Sequence, residues 1–186
     1  RARVGHIKKR GRLKKLLIIF GGIDQENFTS RTIHAIYQLE FKENLDITVI
    51  VGASNPWLED IKSLYLKSLP NFHLVVQTKE MAKLMAEHDL LISAGGTTTS
   101  EALFLRLPAL LVSTAKNQNR TIDTLDSLGL AIKVPDNDRF EIEIKKELES
   151  LWYNPKKLDD MTEKCAKFSL GSKDHLDKLL YTILSF

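Results

Sequence analysis

The 186-residue chain is long enough for one domain with a substantial core, and its 43% hydrophobic and 27% charged content is that of an ordinary globular protein. No apolar run approaches the roughly 20 residues that would span a bilayer, and no secretory signal follows the basic start. The single cysteine, Cys165, excludes an internal disulfide framework and suits a reducing cytoplasm; it is expected to be a buried thiol on a late helix. The net charge of +3 is unevenly placed. Eight basic residues and no acidic one precede residue 16, leaving 19 basic against 24 acidic in the rest, a body of −5. Residues 1–14 therefore read as a basic interdomain linker ahead of a domain at 15–186. No aromatic residue interleaves those charges, so a nucleic-acid partner is not expected.

Beyond the linker, short apolar runs alternate with longer helical patterns. The runs predict strands at Lys15–Phe20, Ile47–Val51, Phe72–Val76, Leu90–Ser93, Ala109–Val112 and, more weakly, Ala131–Val134. Nearly every residue in them is apolar, as in strands buried on both faces. Helices are predicted at Asn27–Leu39, Trp57–Ser68, Lys79–Glu87, Thr98–Arg106 and Asn119–Ser127. Past Pro135 only helical patterns remain: Asp138–Trp152, Lys156–Phe168 and Ser172–Leu184. The expected fold is α/β, a doubly wound, Rossmann-like six-stranded parallel sheet with extra C-terminal helices.

Such sheets bind ligands outside the carboxyl ends of their strands, where strand order reverses. With the order 3-2-1-4-5-6, that crevice lies between the first and fourth strands. Two glycine pairs follow those strands: Gly21-Gly22 and Gly95-Gly96. The second opens Gly95-Gly96-Thr97-Thr98-Thr99-Ser100-Glu101, a strand end turning into a helix. Glycines admit a bulky anion close to the backbone, and a helix N-terminus offers unpaired amides and a positive dipole end. Glu101, one turn inside, is placed to accept hydrogen bonds from a ribose diol. The plainer alternatives are that the hydroxyls only cap the helix, with Glu101 completing a capping box, and that Gly21-Gly22 is merely a well-made turn. Asn117 and Gln118, after the fifth strand, could read sugar hydroxyls or a phosphate oxygen, or serve only to shape a polar loop.

The absences narrow the chemistry. The chain carries neither G-x-G-x-x-G nor G-x-x-x-x-G-K-[ST], so dinucleotide and triphosphatase loops are not expected. His6, His34, His73, His88 and His175 show no metal-ligand spacing, and His34 and His175 read as surface residues. No nucleophile elbow or evident general base is present. The catalytic residues stay unassigned, no metal or cofactor is called for, and the domain reads as a binder.

Leu17–Asp24 (LIIFGGID), Met81–Leu84, Asp89–Glu101 (DLLISAGGTTTSE), Leu107-Pro108 and Ala115–Gln118 (AKNQ) resemble the C-terminal domain of the UDP-sugar hydrolase of pseudaminic acid biosynthesis. Spore-coat polysaccharide biosynthesis proteins carry similar motifs, and glycosyltransferase-B enzymes are more distantly similar. The resemblance implies two Rossmann-like lobes around a cleft, with this lobe holding UDP or a UDP-sugar. Carried over, Gly22, with Gly21 beside it in the nucleotide-sugar site, and Gly95–Thr98 would face the pyrophosphate and Glu101 the ribose hydroxyls. Thr78, with Met81 beneath it, would lie against the uracil, while Asn117 and Gln118 approach phosphate or sugar. The resemblance also implies an N-terminal lobe as partner, supplying the histidine that activates water. No histidine here takes that role, so the chain alone is expected to be catalytically silent. The donor half of a glycosyltransferase and a non-catalytic nucleotide-sugar module are the alternatives.

Overall fold

All six apolar runs form strands: β1 Lys15–Ile19, β2 Asp46–Val51, β3 Phe72–Val76, β4 Leu90–Ala94, β5 Ala109–Val112 and β6 Ala131–Val134. In the computed structural model, which describes residues 11–66 and 71–170, they make one sheet in the order β3-β2-β1-β4-β5-β6. Every neighbouring pair is parallel. This is the expected doubly wound order, and it places the reversal between β1 and β4. Side chains alternate between the two faces of the sheet. Leu16 and Ile18 join a core with Phe28, Ile33, Phe140 and Ile144, whereas Leu17 and Ile19 join one with Met85, Leu103, Ile122 and Cys165. Burial on both faces explains why the strands read as unbroken apolar runs.

The connecting helices are α1 Phe28–Tyr37, α2 Leu58–Leu66, α3 Met81–Glu87, α4 Thr97–Phe104 and α5 Asn119–Ser127. Two more follow the sheet, α6 Phe140–Tyr153 and α7 Pro155–Leu170. The helix expected at Ser172–Leu184 lies outside the described residues. Cys165 is buried on α7, as expected, with its thiol 3.4 Å from the Leu130 carbonyl. None of the described helices is long and apolar enough to cross a membrane.

The packed part begins before Lys15. Leu13 is fully buried, the Gly11 amide donates to Asp159 Oδ1 at 3.0 Å, and the Arg12 guanidinium lies 5.6 Å from the centre of the Trp152 ring. The carboxyl-terminal end of the basic segment is thus seated on α6 and α7.

α6 is held against α1 by Phe140, whose ring sits 4.8 Å from Phe28 and 6.4 Å from Phe20, centre to centre. Arg31 covers both Phe28 and Phe140 and pairs with Glu141 through Nε at 2.6 Å and Nη2 at 2.9 Å. The hydrogen-bonded Arg31 guanidinium holds the Glu141 carboxyl below its ordinary range. A carboxyl lowered on folding stabilises the protein above its unfolded pKa, about 4.3, and that stabilisation disappears as pH falls through the folded value. Glu141→Gln is therefore expected to be less stable than the parent at pH 7, by about 1 kcal/mol or less for so exposed a pair. Urea midpoints taken from pH 7 to pH 3 should converge; a constant gap would contradict the account.

Candidate functional site

The last register pair of β1 and β4 is Ile19↔Ser93, tied by the Ser93 hydroxyl, which donates to the Ile19 carbonyl at 2.7 Å. Gly21 and Gly95 each stand two residues beyond that pair. Neighbouring strands run about 4.8 Å apart, so the two glycine turns rise side by side from the carboxyl edge. Gly21 adopts φ +82, a conformation that favours glycine. A Cβ built on Gly21, Gly22 or Gly96 would meet nothing within 4 Å, so these backbones face open space. Gly95 is different. Its Cβ would lie 2.5 Å from Ile122 Cδ1 and 3.3 Å from Gln118 Cβ, and its amide donates to the Val112 carbonyl at 3.2 Å. Gly95, expected to face an anion with its neighbours, is a glycine because α5 packs against it. The amides available at this turn begin with Gly96.

The two helices that start at these turns treat their N-termini oppositely. At α1 the Asp24 carboxylate accepts from the Phe28 amide at 2.9 Å and the Thr29 amide at 2.8 Å, while Asn27 Oδ1 accepts from Ser30. That anion site is filled by the protein's own carboxylate. At α4 the N-cap is Gly96, extended at φ −96 and ψ −161, with no side-chain cap. Among the described residues the amides of Gly96, Thr97 and Thr98 meet no protein acceptor, as the first turn of a helix leaves them. The Thr99 hydroxyl turns back to donate to the Ala94 carbonyl at 3.1 Å. The capping-only reading of Thr97–Ser100 therefore fails, and Glu101 closes no capping box. Its carboxylate is exposed one turn into the helix. A helix start with free amides and no acid against them attracts an anion.

Beside the glycine turns, between the ends of β1, β2 and β3, opens a cavity of about 570 Å³. Ile19, Ile50, Val51 and Met81 give it apolar walls; Gly21, Gly22, Gly52, Gln77, Thr78 and Lys79 give it a polar rim. Thr78 and Met81 thus meet Gly21 and Gly22 in one place. The Thr78 hydroxyl accepts from the Glu80 amide at 3.0 Å and shapes the turn into α3. The site expected from the sequence did not include Gly52, Gln77 and Lys79, although Gly52 and Gln77 stand at polar strand ends. A Cβ on Gly52 would lie 2.7 Å from the Gly22 carbonyl oxygen, so the first two loops meet backbone to backbone. The available signal was a third glycine just past a strand. Gln77 has φ +57, which nothing in its residue type announced.

Gly96, Thr97, Thr98 and Glu101 do not line this cavity; they follow β4, the strand paired with β1 on the side away from β2. Asn117 and Gln118 stand farther along, on the helical turn Lys116–Gln118. Asn117 is exposed, and Gln118 Oε1 accepts from the Thr114 amide at 2.8 Å and its hydroxyl at 3.1 Å. Only the Gln118 amide nitrogen remains for a ligand. His34 is exposed, as expected, and so is His73. His88 is buried, its Nδ1 2.6 Å from the Leu84 carbonyl and Nε2 2.9 Å from the Thr48 hydroxyl, and burial pushes its pKa down. It precedes β4 at the opposite edge of the sheet. None of these three can serve chemistry at the glycine turns.

Six parallel strands in this order, with glycine-rich turns at the carboxyl edge, make the Rossmann-like C-terminal lobe of glycosyltransferase-B enzymes. The chain belongs to the glycosyltransferase family 28 C-terminal domain family, whose model matches residues 16–179. It is 27% identical over 119 residues to the spore coat polysaccharide biosynthesis protein SpsG of Bacillus subtilis, covering 64% of this chain and 35% of SpsG. Among solved structures it resembles MurG of Acinetobacter baumannii, with TM-score 0.69 and 20% identity over 94% of this chain and 53% of that one. The spinosyn rhamnosyltransferase SpnG, solved with thymidine diphosphate, gives TM-score 0.63 and 16% identity, covering 96% of this chain and 47% of SpnG. The chain thus spans about a third of the curated relative and about half of the solved ones.

Proposed function

We propose that this domain holds a UDP-sugar by its nucleoside diphosphate. The observation that carries the reading is the uncapped start of α4 beside the open Gly21-Gly22 turn, next to a half-apolar cavity. In this reading the uracil and ribose enter the cavity by Thr78 and Met81. The diphosphate crosses to the amides of Gly96, Thr97 and Thr98, with Gly21-Gly22 as the opposite wall. Glu101 accepts from the ribose hydroxyls, and Asn117 and Gln118 stand toward the sugar. SpnG, whose structure contains a pyrimidine nucleoside diphosphate, supports that choice of ligand class.

The chemistry we assign to the whole protein is hydrolysis. Water attacks the anomeric carbon, the bond from that carbon to the diphosphate oxygen breaks, and UDP leaves. This domain contributes by stabilising the charge that gathers on the leaving diphosphate. A second lobe supplies the base that takes the proton from water. The likeness to SpsG supports a role in polysaccharide synthesis, and the choice of a diacetamido-trideoxy hexose as the sugar rests on the motif resemblance alone. Membership of a glycosyltransferase family favours the second reading, transfer of the sugar to a hydroxyl acceptor, which expels the same UDP. Incubating the two-lobed protein with UDP-sugar and no acceptor separates them, since only a hydrolase then releases free sugar.

UDP, GDP and NAD titrated against the chain should raise its melting temperature in that order of strength, because a ligand bound only to the folded state stabilises it by mass action. Equal responses to all three would count against the site. Glu101→Ala is expected to weaken UDP by about 1.5–3 kcal/mol, the value of a hydrogen bond to a charged group. Uridine lacking both ribose hydroxyls should bind parent and variant alike.

A further inference from the structure

The glycine turn beside the cavity is not supported by its own strand alone. Asp24 follows it at φ +46, buried, with its carboxylate spent on the Phe28 and Thr29 amides. Its carbonyl oxygen accepts from the Asn27 amide at 3.0 Å and from the Trp57 indole Nε1 at 3.0 Å. Trp57 belongs to the next loop, just before α2. Its amide donates to Asn55 Oδ1 at 2.8 Å, and the Asn55 amide donates to the Gly52 carbonyl at 3.1 Å. Gly52 in turn packs against Gly22, backbone to backbone. The two loops are thus joined twice, by the indole on Asp24 and by the paired glycines.

We infer that Trp57 and Asp24 are positioning residues, a clasp that fixes where the Gly21-Gly22 backbone stands and so sets diphosphate affinity. The inference rests on the nucleoside diphosphate reading of the site. Neither side chain lines the cavity, so neither acts by touching the base. The self-filled N-terminus of α1 adds to the effect. Asp24 satisfies the amides that a phosphate could otherwise seek there, so of the two helices that start at the glycine turns α4 is the one that offers an uncapped start. Holding a turn in its bound shape before the ligand arrives lowers the ordering cost of binding.

A clasp of this kind should matter more for a ligand whose phosphates lie along the turn than for a nucleoside held at the Thr78 and Met81 side of the cavity. The test compares Kd for UDP and for uridine, by calorimetry, in the parent chain, in Trp57→Phe and in Gly52→Ala. Trp57→Phe keeps an aromatic ring and deletes the indole donor. UDP binding should weaken about three- to tenfold, as the loss of one net hydrogen bond does, with uridine within twofold of the parent. Gly52→Ala forces a methyl against the Gly22 carbonyl and should lower the UDP-to-uridine preference at least as far; it also serves if Trp57→Phe does not fold. An unchanged preference in both variants would overturn the clasp, as would equal weakening of UDP and uridine, the mark of general damage. A parent chain that does not prefer UDP to uridine would overturn the site reading and the clasp with it.

Discussion

Thr97→Pro is expected to leave the domain folded and to weaken UDP binding by about 10- to 150-fold. The substitution is unusually clean because Thr97 is the first residue of α4. Proline is well tolerated at the first helical position, where the missing amide had no partner within the helix. The residue before a proline must be extended, and Gly96 already is, at φ −96 and ψ −161. The exposed Thr97 side chain forms none of the described hydrogen bonds, so little else is lost. What disappears is one N–H that, in the proposed site, faces the diphosphate. Hydrogen bonds to charged groups are worth about 1.5–3 kcal/mol, which sets the range. The check is a pair of measurements, UDP affinity and urea stability. Unchanged affinity in a folded variant would remove the start of α4 from the binding site.

The largest loss of stability is expected from Phe140→Ala, about 3–5 kcal/mol. Phe140 is fully buried and touches the rings of Phe20 and Phe28, and Arg31 lies over it. Truncation leaves a cavity at the seam of α1, α6 and the sheet, and removes the surface over which Arg31 is stacked. Losses of that size approach the total stability of many domains, so the urea midpoint should collapse, not merely shift. A loss under about 1 kcal/mol would mean that α6 is an accessory to the fold, contrary to its packing.

The sheet was legible because its inner strands are buried on both faces, which leaves runs dominated by Val, Ile and Leu; the edge strands β3 and β6 are only partly buried. Parallel crossovers alone do not fix strand order; the expectation assumed the common order 3-2-1-4-5-6, the sheet has it, and the position of the reversal follows from it. Helix starts were less legible. The first helix was expected from Asn27 and the third from Lys79, whereas α1 starts at Phe28 and α3 at Met81. The residues just ahead adopt turn conformations that composition does not announce, Gln77 at φ +57 among them. In the site, the open backbone of Gly21, Gly22 and Gly96 matches what paired glycines suggest. Gly95 shows why spacing alone misleads: it looks identical in the sequence, yet its space and its amide belong to Ile122 and Val112. Trp57 and Asp24 were invisible as partners because 33 positions separate them and only folding brings the loops together.

The contact between Gly95 and Ile122 reaches beyond packing. Ile122 is fully buried in the core shared by α4 and α5, so the turn ahead of α4 inherits its shape from a residue in the interior. A larger residue at position 95 could be accommodated only by a smaller one at 122. The two positions should therefore drift as a couple wherever this chain diversifies, since both record the same packing of α5 against the turn.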